Sequence, residues 1–440
     1  LFCCEDVPDL VIAAEICEDV WVPCPPSIPH AMAGATVIVN CSASDETTGK
    51  DIYRKDLICG QSARLVCGYI YANAGEGEST QDLVFGGQNL IAENGTCLAQ
   101  SRRFVNETIY ADLDLERLTG ERRRMTTFPT AGEAKEAGGY VTVNFELERG
   151  LKEESRPVLR YIDPAPFVPG DPAQRDRRCE EILSIQAMGL KKRLEHTGCK
   201  QAVIGLSGGL DSSLALLVTV RAFDLLKIPR ANIHCITMPC FGTTDRTYSN
   251  ACAMAEKVGA TLREINIRQS VTSHFADIGH DINVHDVTYE NGQARERTQI
   301  LMDISNQVGG LVIGTGDMSE LALGWATYNG DHMSMYGVNA SVPKTLVRHL
   351  VRYYADTCGE KELSDVLFDV LDTPVSPELL PPEDGKISQK TEDLVGPYEL
   401  HDFYIYYVLR FGYRPGKIFR MAVQAFEGRY EREIILKWLT

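Results

Sequence analysis

The sequence predicts an α/β protein with two layered domains and a connector between them, the second domain being built on a doubly wound parallel sheet. Short apolar runs without polar alternation are typical of strands that are buried on both faces. Segments with helical periodicity separate these runs, and such an alternation favours parallel sheets. The chain has 440 residues, enough for two or three domains of about 150 residues each.

The composition is that of a globular protein and argues against several classes of partner. Hydrophobic residues make up 44% and charged residues 24% of the chain, and the formal net charge is −17. This acidic balance predicts no general binding of nucleic acid and none of an anionic membrane. No apolar run approaches the roughly 18 residues of a membrane span. The 14 cysteines are scattered without a CxxC pair, which predicts reduced thiols in a cytoplasmic enzyme.

The first part of the chain, residues 1–115, has short apolar strands at 10–14, 35–39 and 69–72. An amphipathic helix is expected at 53–67, between the second and third strands. Residues 116–175 carry charge runs at 121–124 and 152–154, and five prolines follow. These are Pro157, Pro164, Pro166, Pro169 and Pro172. This composition predicts a connector.

From residue 176 onwards, strands and helices alternate regularly. The predicted strands are 202–206, 233–238, 262–267 and 311–313, and the predicted helices are 176–198, 212–226 and 297–307. Such a pattern indicates a doubly wound parallel sheet, in which ligands bind at the carboxyl ends of the strands. Residues 176–440 are therefore expected to form one domain that contains a binding site.

The strongest local motif is SGGLDSS at 207–213, between a predicted buried strand and an amphipathic helix. Gly208 and Gly209 let backbone N–H groups turn towards an anion, and the helix N-terminus adds partial positive charge. Ser207 and Ser212 can donate hydrogen bonds, and Asp211 is suited to Mg²⁺, a hard cation that prefers oxygen ligands. The motif lacks the GK[ST] of loops that transfer a γ-phosphate. A glycine turn with a serine helix cap remains the structural alternative.

The SGGxDS pattern resembles the signature of the N-type ATP pyrophosphatases. The block GTGDMSELALGWATYNGD at 314–331, together with 376–379, 391–393 and 396–400, resembles the NAD⁺ synthetases. With the amidase-like front half, the chain is similar to the glutamine-dependent members over nearly its whole length. The resemblance implies a partial nitrilase-like αββα domain followed by a doubly wound parallel-sheet ATP pyrophosphatase domain. Residues 1–115 would be the C-terminal part of the nitrilase-like glutaminase domain, and 176–440 the NAD synthetase domain.

The resemblance also implies binding residues for ATP, deamido-NAD and Mg²⁺. ATP would be bound by Gly205, Leu206, Ser207, Gly208, Gly209, Leu210, Asp211, Ser212 and Thr315. Deamido-NAD would be bound by Asn291, Glu320, Trp325, Ala326, Thr327 and Tyr328. Asp211 and Glu320 would coordinate Mg²⁺. Trp325 and Tyr328 offer aromatic faces for a planar ring. Structural alternatives are a core role for Trp325, a turn role for Asn291 beside Gly292, and solvated helix charges for Arg295 and Arg297.

The implied reaction is that of a carbon–nitrogen ligase and needs no side-chain nucleophile in the synthetase domain. The nicotinate carboxylate of deamido-NAD attacks the α-phosphate of ATP, and pyrophosphate leaves. Ammonia then attacks the acyl-adenylate and AMP departs, which yields NAD⁺. Mg²⁺ and the loop amides would stabilise the charge that develops on the phosphates.

The ammonia source is predicted from the segment EICEDVW at 15–21, which follows the first strand. A lone cysteine in an apolar setting is usually inert packing, but this context resembles the nitrilase-type glutaminase of the same family. The resemblance implies that Cys17 attacks glutamine and that Ser44 and Lys50 bind it. In the family, a Glu base and a Lys lie well upstream of the cysteine, but only 16 residues precede Cys17 here. Family members also continue beyond the position of Thr440 with a segment that supplies a Lys for deamido-NAD. We therefore expect a chain truncated at both ends.

Two alternatives remain open at this stage. One is another ATP pyrophosphatase, either an amidotransferase or a sulfur-transfer enzyme with the same loop. The other is an inactive or ammonia-only remnant that binds ATP and deamido-NAD. The family resemblance further implies a homo-oligomer, without nucleic-acid or membrane partners.

Overall fold

The computed structural model describes residues 1–80, 82–129, 132, 136, 139–147, 158–168, 170–374, 379–381 and 391–440. The chain divides into two compact units. The first comprises Leu1–Ile162 with Phe411–Tyr413, and the second comprises Asp163–Arg410 with Arg414–Thr440. The predicted features at 152–154, Pro157, Pro169 and 376–378 lie outside the described residues. Within the described ranges, no helix has both the length and the apolarity that crossing a bilayer requires.

The described strands of the first unit form one mixed sheet. They are β1 (Phe2–Cys4), β2 (Val11–Ile16), β3 (Val37–Ser42), β4 (Gly68–Asn73), β5 (Leu90–Glu93), β6 (Thr96–Gln100) and β7 (Val143–Phe145). Their spatial order is β6-β5-β4-β3-β2-β1-β7. Strands β2, β3 and β4 pair in parallel, and they are the three strands that the apolar runs predicted.

Three helices in the described part of this unit are α1 (Ser27–Met32), α2 (Lys50–Leu65) and α3 (Leu115–Arg124). Ile58 and Leu65 of α2 pack against Ile38 of β3 and Tyr69 of β4 in one buried cluster. The predicted helix at 53–67 is therefore confirmed. It starts slightly earlier, directly after Gly49, which has a φ of +82° that only glycine adopts without strain.

In the second unit, the described strands form a five-stranded parallel sheet. They are β8 (Ala202–Gly205), β9 (Ile233–Thr237), β10 (Thr261–Glu264), β11 (Leu311–Gly314) and β12 (Tyr336–Gly337). The spatial order is β10-β9-β8-β11-β12, with every neighbouring pair parallel. The prediction of a doubly wound parallel sheet is confirmed. The strand order reverses between β8 and β11, and in such sheets a crevice opens at the carboxyl ends of the strands on either side of this point.

Helices cover the sheet and supply most of the buried apolar surface. They are α4 (Pro172–Thr197), α5 (Leu210–Leu226), α6 (Asp245–Val258), α7 (Arg268–Ile278), α8 (Val287–Val308), α9 (Met318–Leu323), α10 (Lys344–Thr357), α11 (Lys361–Leu371), α12 (Thr391–Val395), α13 (Tyr398–Phe411), α14 (Pro415–Ala425) and α15 (Arg432–Leu439). Helix α5 is central, and its Leu214 and Leu217 pack in one fully buried cluster with Leu190 of α4 and Val347 of α10.

Helix α8 contains the predicted helix 297–307, but it begins at Val287, so the predicted start is wrong by about ten residues. Asp286 caps the helix, and its Oδ1 accepts hydrogen bonds from the amides of Thr288 (2.8 Å) and Tyr289 (3.1 Å). Segment 290–295 therefore lies inside the helix, and the interpretation of Asn291 as a turn residue is also wrong. Position 292 has no room for a side chain, because a Cβ would lie 2.6 Å from the ring of Phe275 in α7. Glycine therefore occurs inside this helix despite its low helix propensity.

Candidate active site

The chain turns sharply after β8, in the glycine loop (residues 207–213), and enters α5. Gly208 has a φ of +82°, and a Cβ at this position would lie 2.0 Å from the carbonyl oxygen of Thr247. The amide of Gly209 donates to Ser207 Oγ (3.2 Å), which lies 3.1 Å from Ser212 Oγ. The loop thus requires glycine at 208 for two reasons, its backbone conformation and the close approach of α6.

Gly208→Ala is expected to lower the free energy of unfolding by about 2–5 kcal/mol, because positive φ and overpacking both oppose a Cβ there. Thermal and chemical denaturation would measure the loss. Gly209→Ala is the matched control, since Gly209 has a φ of −90° and its Cβ would only approach Ser207 Oγ at 3.4 Å. Equal losses in the two variants would contradict the assignment of strain to Gly208.

The N-terminus of α5 provides an anion site directly after the loop. The first backbone N–H groups of a helix have no partner within the helix, and here they belong to Leu210, Asp211 and Ser212. The helix dipole places partial positive charge at the same point. Gly314 and Thr315, at the end of β11, line the same cleft. Phosphate groups therefore fit at the point where the strand order reverses.

Four ionisable side chains meet beside the glycine loop, and we call them the Lys344 cluster. Lys344 Nζ lies 2.8 Å from Asp211 Oδ2, 2.6 Å from Asp317 Oδ2 and 2.8 Å from Glu320 Oε1. Asp317 and Lys344 are buried. Burial raises the pKa of Asp317 to about 8, and burial together with the charge of Asp211 raises the pKa of Glu320. Burial alone would lower the pKa of Lys344, but the three carboxylates outweigh it and hold that pKa well above its usual value.

The donor atoms of the Lys344 cluster fit a divalent cation. One oxygen each from Asp211, Asp317 and Glu320 lies within 4.8 Å of the others. Three carboxylates face one ammonium, so negative charge is in excess when all are ionised. Asp211 Oδ1 is buried and makes no hydrogen bond, which leaves a lone pair for a ligand. Hard cations such as Mg²⁺ prefer such oxygen donors.

Two buried polar side chains fix the backbone around this cluster. Asn339 Nδ2 donates to the carbonyl oxygens of Asp211 (2.9 Å) and Thr315 (3.1 Å), so it ties the first turn of α5 to the end of β11. Asp317 caps α9 by accepting from the amide of Glu320 (2.9 Å). The carboxylates of Asp317 and Glu320 therefore face Lys344 from a short, capped helix.

The structure gathers most of the residues predicted for nucleotide binding around one cleft. The predicted ATP residues that line it are Gly205, Leu206, Ser207, Gly209, Leu210, Asp211, Ser212 and Thr315. Gly208 does not line it. Among the predicted deamido-NAD residues, Glu320, Trp325 and Ala326 line the cleft, and the remaining three do not. Tyr328 is 76% exposed.

Asn291 and Thr327 contact each other outside the cleft lining. Thr327 Oγ1 donates to Asn291 Oδ1 (2.8 Å), and Arg295 Nε donates to the carbonyl oxygen of Tyr328 (3.2 Å). Two residues of α8 thus fasten the segment 325–328. The side-chain oxygen of Asn291 thus accepts a hydrogen bond from Thr327. Arg295 is bonded to the backbone of Tyr328 and is therefore not a purely solvated charge.

In the first unit, Cys17 lies at the end of β2 with a φ of +50°, which is uncommon for a residue with a Cβ. It begins a short 3-10 helix, Cys17–Trp21. Asn40 holds its backbone from both sides, because Oδ1 accepts from the Cys17 amide (3.1 Å) and Nδ2 donates to the Cys17 carbonyl oxygen (3.4 Å). Backbone strain that is held in this way is typical of functional positions.

Lys50 and Ser44 are held differently. Lys50 Nζ pairs with Asp45 Oδ1 (2.7 Å) and lies 5.7 Å from the ring centroid of Trp21, at the far end of the 3-10 helix that Cys17 begins. The buried Ser44 receives a hydrogen bond on Oγ from Arg54 Nη2 (3.3 Å). The structure thus brings Lys50 to the helix of Cys17 and fixes Ser44 through the buried Arg54.

Comparison with known families matches both units. Residues 182–414 match the family model described as NAD synthase, which is more than half of the chain. The chain belongs to the NAD synthase family. Residues 4–123 match the carbon-nitrogen hydrolase model, so the predicted fold class is confirmed in both of its parts.

Several curated relatives of this NAD synthase family member are named glutamine-dependent NAD(+) synthetase. The Mycobacterium leprae protein is 45% identical over 428 residues, which are 95% of this chain and 63% of the relative. The Mycobacterium tuberculosis protein is 44% identical over 437 residues, 97% of this chain and 64% of the relative. The Thermotoga maritima protein is 29% identical over 94% of this chain and 67% of the relative. The chain thus spans just under two thirds of the length of the mycobacterial relatives.

Sequence reasoning missed three residues of this site, namely Asp317, Asn339 and Lys344. Lys344 carried a detectable signal, because it is the first residue of α10 and the helix dipole disfavours a cation at that end. A lysine in that position indicates nearby carboxylates. Asp317 could have been found as a helix-capping acid directly after β11. Asn339 had no local signal.

Proposed function

We propose that this protein is a glutamine-dependent NAD⁺ synthase that amidates deamido-NAD with the use of ATP. One observation carries the proposal: the glycine loop and two carboxylates of the Lys344 cluster, Asp211 and Glu320, line one cleft at the end of β8 and β11, and Lys344 contacts both carboxylates. Such a cleft suits a polyphosphate together with a divalent cation. The names of the mycobacterial relatives supply the substrate class. Alternatives that transfer sulfur or only bind the ligands have no comparable support.

In the proposed synthetase step, the loop amides and the N-terminus of α5 hold the triphosphate. Asp211 and Glu320, with Asp317 beside them, would hold Mg²⁺, and the bound ion would supply charge neutralisation at the phosphates. Trp325 and Ala326 form the wall against which the acceptor lies. Its carboxylate oxygen forms a bond to the α-phosphorus while the bond to pyrophosphate breaks. Ammonia then adds to the acyl carbon and loses a proton, and AMP leaves with the bonding electrons of the acyl–oxygen bond.

The ammonia comes from glutamine in this proposal. Cys17 attacks the glutamine carboxamide, which yields a thioester and ammonia, while Ser44 and Lys50 bind the amino acid. Residues 1–115 would carry this glutaminase part, 116–175 the connector and 176–440 the synthetase. We also propose that the protein acts in the cytoplasm and as a homo-oligomer. Native mass spectrometry would test the oligomeric state.

The test is pyrophosphate release and NAD⁺ formation by the purified chain with ATP, Mg²⁺, ammonium and deamido-NAD. We expect release to depend on deamido-NAD and not to occur with xanthylate or aspartate. Asp211→Asn is the negative control, because it removes the negative charge of one cation ligand and leaves the loop glycines in place. Binding of ATP and deamido-NAD without turnover, or turnover with a different acid, would refute the proposal.

A further inference from the structure

Helix α13 carries a buried carboxylate that takes no part in lining the cleft. Asp402 is 2% exposed. Its Oδ1 accepts from Ser319 Oγ (2.5 Å), and its Oδ2 accepts from both the amide (2.9 Å) and the hydroxyl (2.6 Å) of Thr345. Three donors therefore satisfy this one buried acid, which makes its ionised form tolerable away from water.

These contacts fall on the two helices that carry the Lys344 cluster. Ser319 immediately precedes Glu320 in α9, and Thr345 immediately follows Lys344 in α10. Ser319 Oγ also accepts from the amide of Lys344 (2.9 Å). One carboxylate thus fixes the backbone beside both the cation and one of its acidic partners.

The start of α10 depends on this arrangement. Its N-cap residue is Pro343, which offers no side-chain cap. The first two amides of the helix are instead satisfied by Ser319 and by Asp402, which reaches them from another helix. The negative charge of Asp402 also offsets the helix dipole, which would otherwise oppose a cation on Lys344.

A second residue of α13 touches the same lysine. Tyr398 lies one turn before Asp402, and its ring centroid is 5.4 Å from Lys344 Nζ, within the range of a cation–π interaction. Tyr398 is 3% exposed. Helix α13 therefore acts on Lys344 at two points: Tyr398 contacts its ammonium directly, and Asp402 bonds Ser319, whose hydroxyl accepts from the Lys344 amide.

We propose that Asp402 is a positioning residue for the synthetase reaction, which sets the direction of Lys344 and Glu320 towards the triphosphate and its cation without touching either. The inference rests on the proposed function. It extends the site to α13, whose first residues belong to the segment 396–400, a segment that resembles the NAD⁺ synthetases and had no role assigned from the sequence. Small displacements of such groups have large kinetic effects, up to about 100-fold for a shift of roughly 1 Å.

Asp402→Asn is the principal test, because it replaces one acceptor oxygen by an NH2 donor, so that either Ser319 or Thr345, both donors here, would face a donor. We expect kcat/KM for ATP in the ammonium-driven reaction to fall about 10- to 100-fold, with little change in the KM for deamido-NAD. Tyr404→Phe is the matched control on the same helix, since it removes the buried hydrogen bond from Tyr404 to the carbonyl oxygen of Ile435 (2.8 Å). It should lower the melting temperature without this selective effect on ATP.

A graded pair keeps the proposal testable where Asp402→Asn does not fold. Thr345→Val removes one hydroxyl donor and keeps the shape of the side chain, and Thr345→Ser keeps the donor. We expect kcat/KM for ATP to fall more in Thr345→Val than in Thr345→Ser. Parameters for ATP that match those of Tyr404→Phe, or equal effects of the two Thr345 variants, would overturn the positioning role.

Calorimetric titration with ATP and Mg²⁺ separates this inference from the proposed function. A parent chain that binds ATP but makes no NAD⁺ would refute the function alone, and the ATP dissociation constants of the variants would then decide the positioning role. A dissociation constant that rises in Asp402→Asn but not in Tyr404→Phe supports it. A constant that is the same in both variants refutes it.

Discussion

Lys344→Met is expected to destabilise the protein by about 3–5 kcal/mol, because it leaves the buried Asp317 and two half-buried carboxylates without their cation. Lys344 Nζ lies within 2.8 Å of a carboxylate oxygen of each of Asp211, Asp317 and Glu320. We also expect the ammonium-driven rate to fall at least about 100-fold, as is common when a group that stabilises developing charge is removed. Denaturation and pyrophosphate release would measure the two effects.

The response to Mg²⁺ distinguishes the loss of Lys344 from a general destabilisation of the fold. Lys344 and a divalent cation would share the same three carboxylates, so removal of the lysine should strengthen cation binding. Mg²⁺ is therefore expected to raise the melting temperature of Lys344→Met more than that of the parent, since a ligand stabilises the state that binds it.

Lys361→Met is the matched control for this experiment. Lys361 pairs with Asp365 at 2.7 Å but is 86% exposed, and such surface pairs contribute about 1 kcal/mol or less. Its removal should change neither stability nor the response to Mg²⁺ appreciably. A Lys344→Met protein that responds to Mg²⁺ no more than the parent would show that the carboxylates are not a cation site.

The parts of the fold that the sequence predicts well are those with a local cause. Apolar runs mark β2, β3, β4, β8 and β9, since a strand buried on both faces has no polar alternation. The glycine loop is equally local, because Gly208 must adopt positive φ where α6 comes close. Its position at the reversal of strand order then follows from the topology.

Two local signals were overlooked. Asn94 and Gly95, with φ values of +42° and +88°, form the two-residue turn between β5 and β6, and Asn-Gly between two strand-like runs is a strong hairpin signal. Gly292 favoured a loop before α8, although Asp286 is a good helix cap. Packing against Phe275 outweighs the low helix propensity of glycine there, and this tertiary effect has no trace in the local sequence.

The rest of the site depends on contacts between distant residues. Lys344 and Asp211 are 133 residues apart in the chain, and Asn339 joins the first turn of α5 to the end of β11, which only the folded sheet brings together. Asn291 illustrates the same limit, because its carbonyl oxygen is taken by Thr327. The role of Asn291 in binding deamido-NAD stays a prediction. Its side-chain oxygen holds Thr327 in place.

In a protein whose glutaminase unit carries its Glu base and Lys, Cys17→Ala is expected to abolish glutamine-driven NAD⁺ synthesis and to leave ammonium-driven synthesis within about twofold, because only the first needs the thiolate as nucleophile. Alanine and cysteine both carry a Cβ, so the strain at a φ of +50° is the same in both. Asn40 contacts only the Cys17 backbone, and these hydrogen bonds persist in the variant. Glutamate release and NAD⁺ formation with each nitrogen donor would be measured in parallel.

Cys24→Ala is the matched control, because Cys24 is an exposed thiol of the same unit and should be dispensable with both donors. Alkylation with iodoacetamide gives an independent readout. It should inactivate glutamine use in the parent and in Cys24→Ala, and glutamine should protect against it, because a substrate that fills the pocket shields the nucleophile. If Cys17→Ala lost activity with ammonium as well, the strained turn that Asn40 holds would be structural, and the nucleophile would have to be sought elsewhere in the unit.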